Sequence, residues 1–353
     1  MTEIKPTRPV PRGGAAGFVA GRYKVEPDDF VVEELPAYEP SGRGEHAWLW
    51  IEKRSVSTLD LVDAVGKALG VDPRGVGIAG LKDARAVSRQ WLSVAGVADA
   101  QVAGLAGEGW RVLAHSRHGN KLKMGHLRGN RFVVTLRGTG PGDLALVQQN
   151  LAELQQRGVP NYFGEQRFGK RGSNLQKGLA ILRGEARRAA RTVPRRVFGL
   201  LVSAVQSEVF NRVVIERLQT LDVLLPGDLA YLHRNGACFP VADAAAEQPR
   251  AAAFELSPTG PMPGPKMTAP AGEPLAIEQR ALAAMDLLPA QFAALPFGMA
   301  RGERRPLRVP LHDAEARAHT AGLELRFSLP RGSFATSVLR ELLTDTIWFE
   351  QRG

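Results

Sequence analysis

Hydrophobic and polar residues alternate with a period of two from Ala47 to Lys53 (Ala-Trp-Leu-Trp-Ile-Glu-Lys), which predicts a strand. The period then lengthens to that of a helix from Thr58 to Leu69, with Ser57 as N-cap, Asp60 three residues on, and Gly70 as the stop signal. Strand patterns return at Ser88 to Val94, Trp110 to His115 and Phe132 to Arg137. Leu144 to Gln156 is again helical and ends at Gly158. Several strands ahead of one long amphipathic helix predict an α+β sheet domain rather than regular βαβ alternation.

The second half of the chain is patterned differently. Val205, Val209, Phe210, Val213, Val214 and Leu218 form one helical stripe within Ser203 to Leu221, which predicts a core helix. Ala244 to Pro274 is rich in alanine, glycine and proline, with Pro258, Pro261, Pro263, Pro265, Pro270 and Pro274 close together, and reads as a loop or extended crossing. A strand from Leu323 to Leu329 then leads through a turn into a helix from Ser333 to Leu343, with Ser333 as the cap. No internal repeat is visible.

With 353 residues the chain has room for two domains of ~150 residues each. Its 44% hydrophobic and 23% charged residues exclude a disordered or fibrous chain. No run approaches the ~18 apolar residues of a membrane helix, and Met1 to Arg22 holds no apolar core of signal-peptide length. Cys238 is the single cysteine, so neither an intrachain disulfide nor a cysteine-based zinc site is expected. A cytoplasmic, monomeric protein is the expectation, with no membrane partner, metal or cofactor.

Charge changes the picture more. Forty-six basic against 36 acidic residues give a formal net charge of +10, which favours a polyanionic partner. Between His115 and Arg131 lie Arg117, Lys121, Lys123, Arg128 and Arg131, together with His118 and His126 and no acidic residue. A second cluster holds Arg183, Arg187, Arg188, Arg191, Arg195 and Arg196 against Glu185, and a third holds Arg301, Arg304, Arg305 and Arg308. Any one of them reads equally well as a solvated face. Three together point to RNA or DNA, bound through phosphate contacts that supply affinity rather than sequence choice.

Gly75-Val76-Gly77-Ile78-Ala79-Gly80 satisfies the G-x-G-x-x-G dinucleotide fingerprint, the sole basis for reading the chain as an oxidoreductase. A helix pattern and Asp72-Pro73 precede it, and the charged Leu81-Lys82-Asp83-Ala84-Arg85 follows, so these glycines read instead as a tight turn beside a pocket. Asp83, set among cationic residues, suits an ionised nucleophile or base. Taken alone it reads more readily as a surface ion pair or a turn aspartate, and composition and spacing take the choice no further.

Longer motifs carry a resemblance. They run in order from Lys24-Val-Glu-Pro-Asp-Asp-Phe30-Val-Val-Glu-Glu34 through Gly42-Arg-Gly-Glu-His46, Gly80-Leu-Lys-Asp83, Gln90-Trp91 and Leu127-Arg-Gly-Asn130-Arg-Phe132. Gly158-Val-Pro-Asn-Tyr-Phe-Gly-Glu-Gln-Arg-Phe-Gly169 follows, then Gln206 to Asn211, Gly227-Asp228 and Leu329-Pro-Arg-Gly-Ser-Phe334-Ala-Thr-Ser337. In these the chain resembles the TruD family of tRNA pseudouridine synthases over nearly its whole length. The resemblance implies a mixed, largely antiparallel catalytic sheet domain from residues 1–157 and 305–353, an inserted second domain at 158–304, and a basic cleft for tRNA. The activity implied is isomerisation of uridine to pseudouridine, at the position-13 uridine of tRNA, without cofactor or metal.

The same resemblance assigns roles residue by residue. Asp83 falls on the catalytic aspartate, whose attack on the sugar, attack on the base or removal of a sugar proton stays open. Lys24 matches the basic residue expected to pair with it. Lys82 is the rival partner, although in extended backbone Lys82 and Asp83 would point to opposite faces. Phe132 matches the aromatic that stacks on the target base, Asn130 offers an amide to the uracil edge, and Phe30 and Phe334 match positions near the bound base. Packing in the core is the competing reading of all three phenylalanines. The rival to the enzyme is a non-catalytic protein that binds and remodels tRNA.

Overall fold

The alternating run around Ala47–Lys53 becomes a strand near the middle of a large sheet, in a computed structural model that describes residues 4–8, 10–12, 17–185, 193–295 and 300–344. The strands of this sheet are β1 (Phe30–Pro36), β2 (His46–Arg54), β3 (Gly77–Ile78), β4 (Val87–Ala95), β5 (Ala106–Gly107), β6 (Trp110–His118), β7 (Leu127–Arg137), β8 (His312–His319) and β9 (Gly322–Pro330). Among the described residues they order as β8-β9-β7-β1-β4-β2-β6-β5, with β3 sharing an edge of β4. Every pairing is antiparallel except the parallel pair β1 and β4.

This sheet belongs to one of two compact units, drawn from the described residues of 14–152, 311–335 and 342–353. Ala47, Leu49 and Ile51 of β2, with Leu92 and Val94 of β4, pack on Leu61, Val62 and Val65 of the helix Thr58–Leu69. The ends of that helix follow from its sequence. The Ser57 side chain accepts from the Asp60 backbone N–H, and Gly70 closes the helix at φ 68°, a left-handed conformation that suits glycine.

Strand β7 starts five residues earlier than the pattern of alternation predicts, and so takes in Asn130. Gly129, which breaks the apolar pattern, is the reason. A Cβ at Gly129 would lie 2.2 Å from the Leu329 carbonyl oxygen, so the glycine lets β9 approach rather than ending the strand. The expected helix Ser333–Leu343 is shorter, Ala335–Arg340, and Ser333 stands one residue too early to cap it.

The second unit is drawn from the described residues of 1–13, 153–310 and 336–341. Its centre is the helix Arg195–Glu216, longer at its start than the Ser203–Leu221 stripe suggests and followed by a short turn from Leu218 to Thr220. Val205, Val209, Phe210, Val213 and Val214 are buried there with Leu175, Leu179 and Leu182 of the helix Ser173–Leu182. Gly178 permits that crossing, because a Cβ on it would lie 2.4 Å from the Leu201 carbonyl oxygen.

Two expectations hold only in part in this unit. The Pro-rich stretch is an extended crossing through its middle, but it is helical at its two ends. It contains the helix Ala244–Ala252, the start of the helix Gly272–Ala283, and between them a fully buried strand, Leu256–Met262. That strand pairs with Leu229–Leu232 only as far as Pro258 and with Glu303–Pro306 from Thr259 onward. Each of its prolines thus has a neighbour on one side only, where a missing N–H is tolerated.

In the third basic cluster two of the four arginines are taken up inside the fold, while Arg301 stays exposed. Arg304 is buried in an ion pair with Glu278 (2.6 Å), and Arg308 is wholly buried over the Phe254 ring, donating to the carbonyls of Arg157 and Ala251. In the second cluster Arg183 donates to the Met285 carbonyl, whereas Arg187, Arg188 and Arg191 lie outside the described residues.

Candidate active site

Cross-strand partners share a sheet face, so the register fixes which residues meet. Lys53, Ser88, Val32, Phe132 and Phe327 pair in sequence across β2, β4, β1, β7 and β9. Two positions along the strands, Phe30, Glu34 and Asn130 emerge on that same face. The Phe132 ring stacks on Phe327 (centroids 5.4 Å apart, planes at 29°) and meets Phe30 at 6.0 Å. Phe30 and Phe132 are both buried, so their packing role is real. The Asn130 Oδ1 atom is buried and has no hydrogen-bond partner among the described residues.

Lys24 reaches this face from a strap pinned on both sides. Arg22 and Arg137 exchange backbone hydrogen bonds (2.8 and 2.7 Å), and Arg137 Nε also contacts both Asp29 carboxylate oxygens at 2.9 Å. Between these anchors Lys24 adopts φ 57°, a left-handed conformation disfavoured for a residue with a side chain. Strain of this kind persists only where the surroundings hold it. Its ammonium ion-pairs with the Asp83 carboxylate and lies 4.1 Å from the centre of the Phe30 ring.

Asp83 sits in the irregular segment between β3 and β4. Thr58 Oγ1 accepts from the Lys82 N–H (2.8 Å), and Lys82 Nζ turns away from Asp83 to Glu34 Oε2 at 2.5 Å. Of the two lysines weighed as partners, Lys24 is the one that reaches Asp83. Lys53 Nζ donates to the Asp83 carbonyl (2.8 Å). The residue is thus held through its backbone while 41% of its side chain stays open to solvent. Five of the six site candidates share this neighbourhood. Phe334, just past β9, is 47% exposed, and among the described residues no ring contact joins it to the others.

The G-x-G-x-x-G run forms no dinucleotide cradle. Gly75 ends a short turn, Gly77 lies in β3, and no helix opens after Gly80. A Cβ on Gly77 would fall 2.4 Å from both the Leu122 carbonyl oxygen and Ser93 Oγ, so close backbone approach accounts for it.

The family model described as tRNA pseudouridine synthase D (TruD) matches residues 15–193 and 183–342. The chain belongs to the tRNA pseudouridine synthase D family. It is 42% identical to tRNA pseudouridine synthase D of Geotalea daltonii, over 92% of this chain and 96% of that one. Identity is 44% to the namesake of Geobacter metallireducens (92% and 95%) and 45% to that of an Anaeromyxobacter species (92% of each). The crystal structure titled putative tRNA pseudouridine synthase D of Methanosarcina mazei shares the fold at a TM-score of 0.79 and 22% identity, over 97% of this chain and 96% of that one. Lys24, Phe30, Asp83, Asn130 and Phe132 fall in the first stretch matched by the TruD model, and Phe334 falls in the second.

Sequence reasoning missed the support beneath Asp83: Lys53, and the diversion of Lys82 to Glu34. Lys53 was signalled by its phase, since it continues the buried row Ala47, Leu49, Ile51 in an alternating strand. Glu34 follows the same logic on β1, where Phe30 and Val32 precede it.

Proposed function

We propose that the uridine this tRNA pseudouridine synthase isomerises to pseudouridine is the position-13 uridine, with Asp83 as its nucleophile or base. One arrangement carries the reading: a solvent-open carboxylate, ion-paired to Lys24, beside the Phe30 ring and on the face that holds Phe132 and Asn130. The N-glycosidic bond to N1 breaks, the uracil turns over, and C5 bonds to the sugar while its proton leaves and N1 gains one. The uridine must first leave its stack, at a cost of a few kcal/mol. Apolar walls at Phe30 and Phe132 would retain the free base, and the Asn130 amide offers hydrogen bonds to its edge.

The test uses tRNA tritiated at uridine C5. Tritium release at the position-13 uridine is expected from the native protein. Asp83→Asn, which keeps the shape and removes the charge, should release none while still binding tRNA. Binding without release by the native protein would favour a tRNA-remodelling role and sink the reading.

A further inference from the structure

Lys53 is the last residue of the row that packs Ala47, Leu49 and Ile51 on the helix Thr58–Leu69, and like them it is fully buried. Burying an ammonium is costly unless its donors are satisfied. Here two of its three donors are spent on backbone carbonyls, that of Val56 (2.7 Å) and that of Asp83 (2.8 Å). One buried charge thus ties the turn before the helix to the segment that carries Asp83. Asp83 is gripped twice, at its carbonyl by Lys53 and at its carboxylate by Lys24.

We propose that Lys53 is a positioning residue for the isomerisation, fixing the backbone of Asp83 so that its carboxylate meets the target nucleoside in register. The inference rests on the role given to Asp83 above. A bond to the carbonyl sets where the Cα stands, and an error of about 1 Å at a reacting group is enough to cost ~100-fold in rate.

Electrostatics make the contact sensitive to pH. Burial pushes the Lys53 ammonium down to about 8, with the Asp83 charge favouring the ionised form and Lys82 opposing it. Lys82 is itself offset by Glu34 on β1, while Thr58 on the helix and Ser88 on β4 bring no charge. Above this value the amine is neutral and holds the carbonyl less firmly. Stability moves the other way. The unfolded chain keeps this proton to higher pH, so between about 8 and the ordinary lysine value the group adds stability as pH rises. A rate that falls where Lys53 makes the fold more stable is not explained by the contribution of Lys53 to stability.

The experiment follows single-turnover tritium release from tRNA between about pH 7 and about pH 9, with the fold checked by thermal melting. The native rate should fall through about pH 8. Lys53→Met should bind tRNA normally and react ~10–100-fold more slowly. Lys53→Gln, which keeps a neutral donor, should lose less and show no alkaline fall. An active native protein whose two folded variants match it in rate and pH profile overturns the Lys53 role alone. No release from the native protein overturns the role of Asp83 as well. Where Lys53→Met does not fold, a native rate that stays flat across the range overturns the proposal.

Discussion

Lys82 and Glu34 form an ion pair at 2.5 Å with side chains only 3% and 1% exposed, next in sequence to Asp83. Burial nevertheless pushes the Glu34 carboxyl above its ordinary value, against the pull of Lys82. Desolvation therefore outweighs attraction, and the pair contributes little net stability. Its effect is directional, because it keeps the Lys82 ammonium away from the Asp83 carboxylate and leaves that place to Lys24.

Removing one partner should be far worse than removing both. Glu34→Ala leaves a buried ammonium unpaired and should cost about 3–5 kcal/mol in urea unfolding. Glu34→Leu combined with Lys82→Met should recover most of that loss. Equal losses in the single and double variants would contradict the account.

Glu341 gives a pH dependence of defined sign. Its Oε2 accepts the Arg12 backbone N–H (2.8 Å), Oε1 has no partner among the described residues, and burial pushes the carboxyl up to about 7. The folded value lies above the unfolded one, so stability from this group is full below the ordinary glutamate range and is lost as pH rises through about 7. Glu341→Gln should abolish that loss, worth roughly 1–3 kcal/mol between about pH 5 and about pH 8. Parallel stability curves for variant and native protein would reject the assignment.

Much of the sheet was legible because its signals are local. Ser57 and Gly70 bracket a helix through backbone geometry that the same residues enforce anywhere. The Leu256–Met262 strand was not, because its prolines are tolerable only given which neighbour covers each half. Lys53 and Arg308 fail for a related reason. Residue type marks both as surface cations, and only tertiary contacts show that their charges end on buried carbonyls. Asp83 needed its longer motif, since ion-pair chemistry alone does not separate a reactive aspartate from a turn residue.

The basic run near β7 should contribute unequally to tRNA binding. Arg117 is committed to Asp99 and the Val97 carbonyl, and Lys121 donates to the Arg74 carbonyl. Lys123 and Arg128 are exposed. If both meet phosphates, replacing them with Ala should flatten the log–log salt dependence of tRNA affinity by about 0.7 each. The same change in slope should appear for every tRNA, and an unchanged slope would make them a plain solvated face.

Phe132 separates packing from chemistry. It is buried against Phe327 and Phe30, so Phe132→Leu should lower stability by about 1 kcal/mol through poorer packing. A stacked uracil would lose more. Replacing the flat ring removes roughly 1–3 kcal/mol of stacking, about a five- to two-hundred-fold slowing if the loss falls wholly on the transition state. Affinity for tRNA should change less, since phosphate contacts remain outside the pocket. The expected result is a folded Phe132→Leu protein that binds tRNA but is clearly slow in single-turnover tritium release. Normal rates with only a lowered melting temperature would leave Phe132 to the core and pass the stacking role to Phe30 or Phe334.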